Sequence, residues 1–246
     1  MSGILIDIRR KAYPARHGSG EHVAIENLRI ELAAGEFVCL VGPSGCGKTT
    51  LLNLVAGLDR QFEGTIQTGA EAGAPRIGYM FQNPRLLPWR TVRENIDLAL
   101  PAGVPGGEVD HLLDVMGLAQ SQSQYPERLS VGMSRRVALV RAFAIQPTLL
   151  LMDEPFVSLD APTARRVRQL LVRVWLERPH TVLFVTHDLR EAIVLADRLV
   201  FLSAPPTALL HEVVVDIPRS AREDEAEVEA FRNWLISDHP EISELL

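Results

Sequence analysis

The stretch GPSGCGKT, Gly42 to Thr49, constrains this chain more than any other. It fits a glycine loop of the form GxxxxGK followed by Ser or Thr, and it lies between the apolar run FVCLV and the helix-prone run TTLLNLVAGL. A strand entering such a loop and a helix leaving it make a phosphate cradle, because the glycines let successive N–H groups converge and the helix start adds partial positive charge. Lys48 is then placed to neutralise the β and γ phosphates of a nucleoside triphosphate, and the Thr49 hydroxyl to ligate magnesium. Gly42, Pro43, Ser44, Gly45, Cys46, Gly47, Lys48, Thr49 and Thr50 form the candidate nucleotide-binding set. Cys46, near the helix start, is expected to favour its thiolate, so that alkylation blocks nucleotide binding and ATP protects against it.

Further apolar, β-branched runs alternate with helical patterns: RIGYMF (76–81), LLLMD (149–153), TVLFVT (181–186) and RLVFLS (198–203). Strands of a sheet covered on both faces have this character. Between 88 and 147, helix-like stretches such as TVRENIDLAL and EVDHLLDVMGL are broken by PAGVPGG and QSQSQYPERLS, which predicts an inserted helical lobe. The tail from Arg219 is acidic and helix-prone, with Val228, Phe231, Trp234 and Leu235 forming one apolar stripe expected to pack on its own domain.

At 246 residues and 47% hydrophobic content the chain can bury one large core plus a small lobe. Acidic groups outnumber basic ones 31 to 25, for a net charge of −6, which argues against nucleic acid as a partner. Cys39 and Cys46 flank a strand and a loop, a poor arrangement for a disulfide or a metal site, and a reducing cytosol fits them best. No segment offers the roughly 20 uninterrupted apolar residues of a membrane span, and the N-terminus lacks a standard export signal. The chain is expected neither to cross a membrane nor to be exported.

A second group of residues suits nucleotide hydrolysis. LLLMDEP puts Asp153 at the end of a buried strand, where it can hold magnesium through water, and Glu154 just beyond, free to act as general base. TVLFVTHD ends another strand with His187 at its tip, able to sense a γ-phosphate by hydrogen bonding. In LSVGM (129–133), Ser130 caps the long helical run that follows.

The order of phosphate loop, Gln82 after a strand, LSVGM, LLLMDEP, SLD and VTHD resembles the ATP-binding subunit of ATP-binding cassette (ABC) transporters over roughly residues 4–215. The resemblance implies a RecA-like α/β P-loop NTPase core with a largely parallel sheet and helices on both faces, an antiparallel β subdomain, and an inserted α-helical signature subdomain. On that pattern, 1–246 is a single ABC ATPase domain. Residues 1–87 and 148–218 are the core with the β subdomain, 88–147 the helical subdomain and 219–246 the acidic tail.

By similarity, Tyr13 stacks on adenine, with His17 and His22 as nearby competitors for that place. Gln82 links magnesium and the attacking water to the membrane partner, and Asp160 crosses a dimer interface. The family signature LSGGQ closes over ATP held by the phosphate loop of a second subunit. Ser130 and Gly132 would therefore complete the site of a facing cassette, Ser130 serving as both cap and ligand. Met133 stands where Gln is commonest, which removes a capping-box side chain. Val131 is the sharper departure. A β-branched residue resists positive φ and puts methyl groups where another chain must approach, so a weaker closed dimer and slower hydrolysis are expected.

NPRLLPWRTVRENI after Gln82 places Leu86, Leu87, Pro88 and Trp89 in an apolar loop suited to a short helix of a permease. FQNPRLLPWRTVRENI, LSVGMSRRVALVRAF, MDEPFVSLD and VTHDLREAIVLADRLVFLS are similar to the nitrate, sulfonate and taurine group of bacterial importers, although Ser134 stands where that group often has Arg. In that group two ATPase subunits at the cytoplasmic face of the inner membrane serve a transmembrane permease. A periplasmic substrate-binding protein acts only indirectly, and ATP with Mg2+ is the energy source. The alternatives are the ATPase of an exporter or lipid transporter, and a soluble non-transport ABC ATPase.

Overall fold

A computed structural model describes residues 3–14, 20–68, 75–101 and 106–243. Among the described residues nine strands run in chain order: β1 (Ile4–Pro14), β2 (Glu21–Leu32), β3 (Phe37–Val41), β4 (Glu63–Gln67), β5 (Ile77–Met80), β6 (Leu149–Asp153), β7 (Thr181–Thr186), β8 (Arg198–Leu202) and β9 (Leu209–Val214). The helices are α1 (Lys48–Val55), α2 (Val92–Asp97), α3 (Gly106–Val115), α4 (Val131–Ala144), α5 (Ala161–Glu177), α6 (Leu189–Leu195), α7 (Glu225–Asp238) and α8 (Pro240–Ser243). The chain divides into two compact units, Met1–Ala74 with Thr181–Leu246, and Pro75–His180.

The first unit holds two sheets. In one, β1 pairs antiparallel with both β2 and β4, matching Ile6 to Ile30 on one side and to Ile66 on the other. Ile4, Ile6 and Ile8 are buried and alternate with the more exposed Leu5, Asp7 and Arg9, the period-two pattern of a strand with one wet face. In the other, β3 lies between β7 and β8 in parallel, and β9 closes the edge antiparallel to β8. All five residues of β3 and all six of β7 are buried, which is why FVCLV and TVLFVT read as unbroken apolar runs. The β3 strand delivers the chain into the glycine loop and α1.

The second unit sets β5 parallel to β6 with α4 packed beside β5. Thr91 starts α2 with a reciprocal capping box: its hydroxyl accepts from Glu94 N–H while the Glu94 carboxylate accepts from Thr91 N–H. Asn95, 2% exposed, pins the loop before α2 by accepting from Leu87 N–H and donating to the carbonyls of Leu87, Arg90 and Thr91. This unit also takes in α3 and α5.

In the tail, α7 packs on α6, and its Val228 and Leu235 are buried. The anticipated stripe is narrower than the sequence suggests, since Trp234 is 48% exposed and rests against Phe231 at a ring separation of 5.2 Å. No helix among the described residues is long and apolar enough to cross a membrane.

Candidate functional site

In the first unit the glycine loop is built as its sequence demands. Gly45 and Gly47 have φ of 77° and 106°. A Cβ on Gly47 would also lie 2.8 Å from Thr207 Oγ1, so both torsion and space exclude a side chain there. Gly47 offers no side-chain cap to α1, and the first turn of that helix carries no acidic residue, which leaves its N-terminal N–H groups for an external anion. Ser44, Gly45 and Thr49 are exposed along the loop, with Gly42 buried at its base and Pro43 and Thr50 half-buried. Lys48 is only 5% exposed, and its Nζ donates to the carbonyls of Gly42 at 2.7 Å and Pro43 at 2.9 Å. These features fit a polyphosphate: converging amides, a helix start and a cation held within the loop.

Cys46 departs from the expectation. Its side chain is fully buried, and burial pushes the thiol above its ordinary value despite the opposing influence of Lys48, whose Nζ lies 3.8 Å from Sγ. A buried neutral thiol is a slow nucleophile, so the predicted reactive thiolate is replaced by a packing role.

Tyr13 is 37% exposed near the end of β1, and His22 lies directly opposite it on β2; His17 lies outside the described residues. The Tyr13 hydroxyl donates to Asp59 Oδ2 at 3.2 Å, and Lys11 Nζ sits 4.3 Å from its ring centre. Lys11 is buried, ion-paired to Asp59 at 2.7 Å, and donates to the Gln61 carbonyl. The ring is thereby fixed from both its edge and a face. His187 is exposed at the tip of β7, ahead of Asp188, which caps α6 by accepting from Arg190 and Glu191 N–H. Thr186 Oγ1 donates to Glu191 at 2.9 Å and accepts from Asp188 N–H at 3.0 Å. These three residues shape the turn under His187. Sequence reasoning passed over them, although an Asp followed by Glu three positions on is a helix-start signal.

The second unit brings Gln82 and Glu154 together. Gln82 Nε2 donates to Glu154 Oε2 at 3.1 Å. Glu154 itself has φ of 44°, a left-handed backbone that a glutamate adopts only at a cost and that recurs at functional sites. Asp153 precedes it at the end of β6, 4% exposed. Burial and then the nearby charge of Asp153 push the Tyr79 phenol far above its ordinary range, so that group stays neutral.

Ser130 caps α4, its Oγ accepting from Met133 N–H at 3.2 Å. Val131 is the first helical residue of α4 and is 59% exposed, and no left-handed backbone is required there. The anticipated torsional strain at Val131 is therefore absent, and only its projecting methyl groups remain. Gly132 is buried, and a Cβ on it would lie 2.8 Å from Thr163 Cγ2 at the start of α5. Asp160 caps α5 by accepting from Thr163 N–H at 3.1 Å. Hydrogen bonds from Thr163 hold its carboxyl below the ordinary aspartate value.

Thr49 carries a hydroxyl, Asp153 a carboxylate and Gln82 an amide carbonyl, each an oxygen donor of the kind that suits Mg2+. A phosphate loop on one unit, and a strand-end acidic pair with a serine-capped helix on the other, define a class of P-loop nucleotide-hydrolysing protein. The ABC transporter family pattern matches residues 25–157. The nitrate import ATP-binding protein NrtD of Synechococcus elongatus is 43% identical over 89% of this chain and 83% of its own length. The aliphatic sulfonates import ATP-binding protein SsuB of Bacillus subtilis is 36% identical over 98% and 96%. A bacterial ABC transporter cassette solved as a dimer superposes with a TM-score of 0.74 at 28% identity, covering 88% of this chain and 100% of that one. A dimeric post-hydrolysis form of that cassette, bound to ADP and Pi, matches equally well. The chain belongs to the ABC transporter family.

Proposed function

We propose that this chain is the ATP-hydrolysing subunit of a bacterial importer for a small anion such as nitrate or a sulfonate, working as one of two cassettes on a membrane permease. Both relatives are import ATP-binding proteins, which supports import rather than export or a non-transport role. The observation that carries the hydrolytic reading is the 3.1 Å contact between the Gln82 amide and the Glu154 carboxylate, with Glu154 held in a left-handed backbone just beyond Asp153.

Lys48 and the loop amides hold the β and γ phosphates, and Tyr13 stacks on the base. When bound with ATP, magnesium would supply Lewis-acid stabilisation of charge on the phosphates. Thr49, Gln82 and, through water, Asp153 are the residues that would hold it. Glu154 accepts the proton of the attacking water while Gln82 orients its carboxylate. His187 donates a hydrogen bond to the γ-phosphoryl group. Ser130 and the N–H groups that start α4 close on nucleotide held by the second cassette, with Asp160 at the same interface. Trp89, 69% exposed, and the half-buried Leu86 and Leu87 offer the permease an apolar foothold beside Gln82. The chain then sits peripherally on the cytoplasmic face of the inner membrane, and the periplasmic binding protein meets it only through the permease.

The test is steady-state ATPase with purified protein. Glu154→Gln is expected to lower kcat by about 10²–10⁴-fold and to accumulate an ATP-bound dimer. Lys48→Ala is expected to lose nucleotide affinity. Near-parental hydrolysis by Glu154→Gln refutes the assignment of the base.

A further inference from the structure

Arg135 lies on α4 and is 5% exposed. It stands in the middle of a helix-forming run, where an arginine ordinarily turns to water. Burial draws its pKa down, and among the described residues no carboxylate is paired with it. Burying an unpaired guanidinium costs free energy, so the position calls for an account of what the fork is doing.

The fork reaches two backbones. One terminal nitrogen, Nη1, donates to the carbonyl of Gln82, and the other, Nη2, donates to the carbonyl of Val157 at 3.3 Å, while Nε finds no partner. Val157 N–H in turn donates to the Glu154 carbonyl at 3.3 Å, closing the turn that follows β6. One rigid guanidinium therefore anchors the Gln82 backbone directly and, through Val157, the turn that starts at Glu154, the two residues whose side chains meet at 3.1 Å. Arg141, further along α4, binds the carbonyls of Pro84 at 2.6 Å and Arg85 at 3.1 Å, so the loop after Gln82 is fastened to the same helix twice. That helix begins at Ser130.

Taking the hydrolytic reading above as its premise, we infer that Arg135 is a positioning residue: its two-carbonyl clamp sets the Gln82–Glu154 contact and transmits movement of the Ser130-capped helix to it. Charge-assisted bonds from a planar fork are stiff and directional, which suits this task. Lysine carries the same charge but lacks the fork, so it restores one anchor of the two.

The experiment measures ATPase kinetics and nucleotide-binding stoichiometry for the full chain and for Arg135→Gln and Arg135→Lys, each also made in a Gln82→Ala background, with Mg-ATP as ligand. The expected result for Arg135→Gln is a kcat lowered by about tenfold or more, with KM for ATP changed less than about twofold and stoichiometry parental. Arg135→Lys is expected to fall between the two. In the Gln82→Ala background Arg135→Gln should cost less than about threefold, because residues acting as one unit are not additive. A parental kcat for Arg135→Gln, a loss of kcat matched by lost binding sites, or an undiminished effect in the Gln82→Ala background overturns the clamp. A parental chain without ATPase activity refutes the hydrolytic premise instead, so the two failures are told apart.

Discussion

At the scale of single residues, the structure separates what the motifs demand from what surrounds them. Gly47 and Gly132 both exclude a side chain, but for different reasons: the first combines a left-handed torsion with a close approach, the second a close approach alone. Val131 does neither, and its exposed methyl groups stand beside the Ser130 cap, which is proposed to meet a second subunit. Replacing Val131 by Gly is therefore expected to raise the ATPase rate by about two- to tenfold through a tighter closed dimer, at a cost of about 0.5–1 kcal/mol in fold stability. Rates compared at equal protein concentration check this, and an unchanged or lower rate shows that the methyl groups obstruct nothing. Cys46 shows the limit of motif reasoning. Its place near a helix start argues for a thiolate, yet complete burial overrides the helix dipole, and burial is not written in the loop sequence.

At the scale of elements, the parallel strands were legible because strands buried on both faces must be apolar throughout, as in β3, β6 and β7. The amphipathic elements were harder to read. In β1 the alternation of Ile4, Ile6 and Ile8 carries a strand signal that only the resemblance drew on, and β9 is an edge strand whose exposure alternates while its sequence, LLHEVV, does not. Arg135 was invisible for a different reason: an arginine on a helix gives no hint that its partners are backbone carbonyls at Gln82 and Val157. The start of α4 against the start of α5 offers a direct test of packing. Gly132→Ala should destabilise the chain by about 1–3 kcal/mol by driving a methyl into Thr163 Cγ2, and Thr163→Ser should recover most of that loss. Denaturant unfolding of both variants measures it. A Gly132→Ala midpoint equal to the parent's means the helices part without strain.

At the scale of the whole molecule, the acid limb of stability has an identifiable contributor. His180 is 6% exposed and its Nδ1 is 2.9 Å from the Arg178 carbonyl. Burial lowers its pKa; the Arg178 carbonyl works against that shift and the Arg178 charge adds to it. The folded chain thus refuses a proton that the unfolded chain accepts near the ordinary value of 6.5. The stabilisation is complete above that value and is lost as pH falls toward the depressed folded value. His180→Gln is expected to flatten the decline of unfolding free energy below about pH 6.5, as seen in urea titrations at stepped pH, with parallel curves assigning the decline to other groups. The left-handed backbone of Glu154 acts on the same molecular balance from the opposite side. A glycine there would relieve about 1–3 kcal/mol of torsional cost and remove the carboxylate proposed as the base. A lineage selected for heat tolerance alone would be drawn to that exchange, so endurance and turnover in this motor are opposed at a single torsion angle.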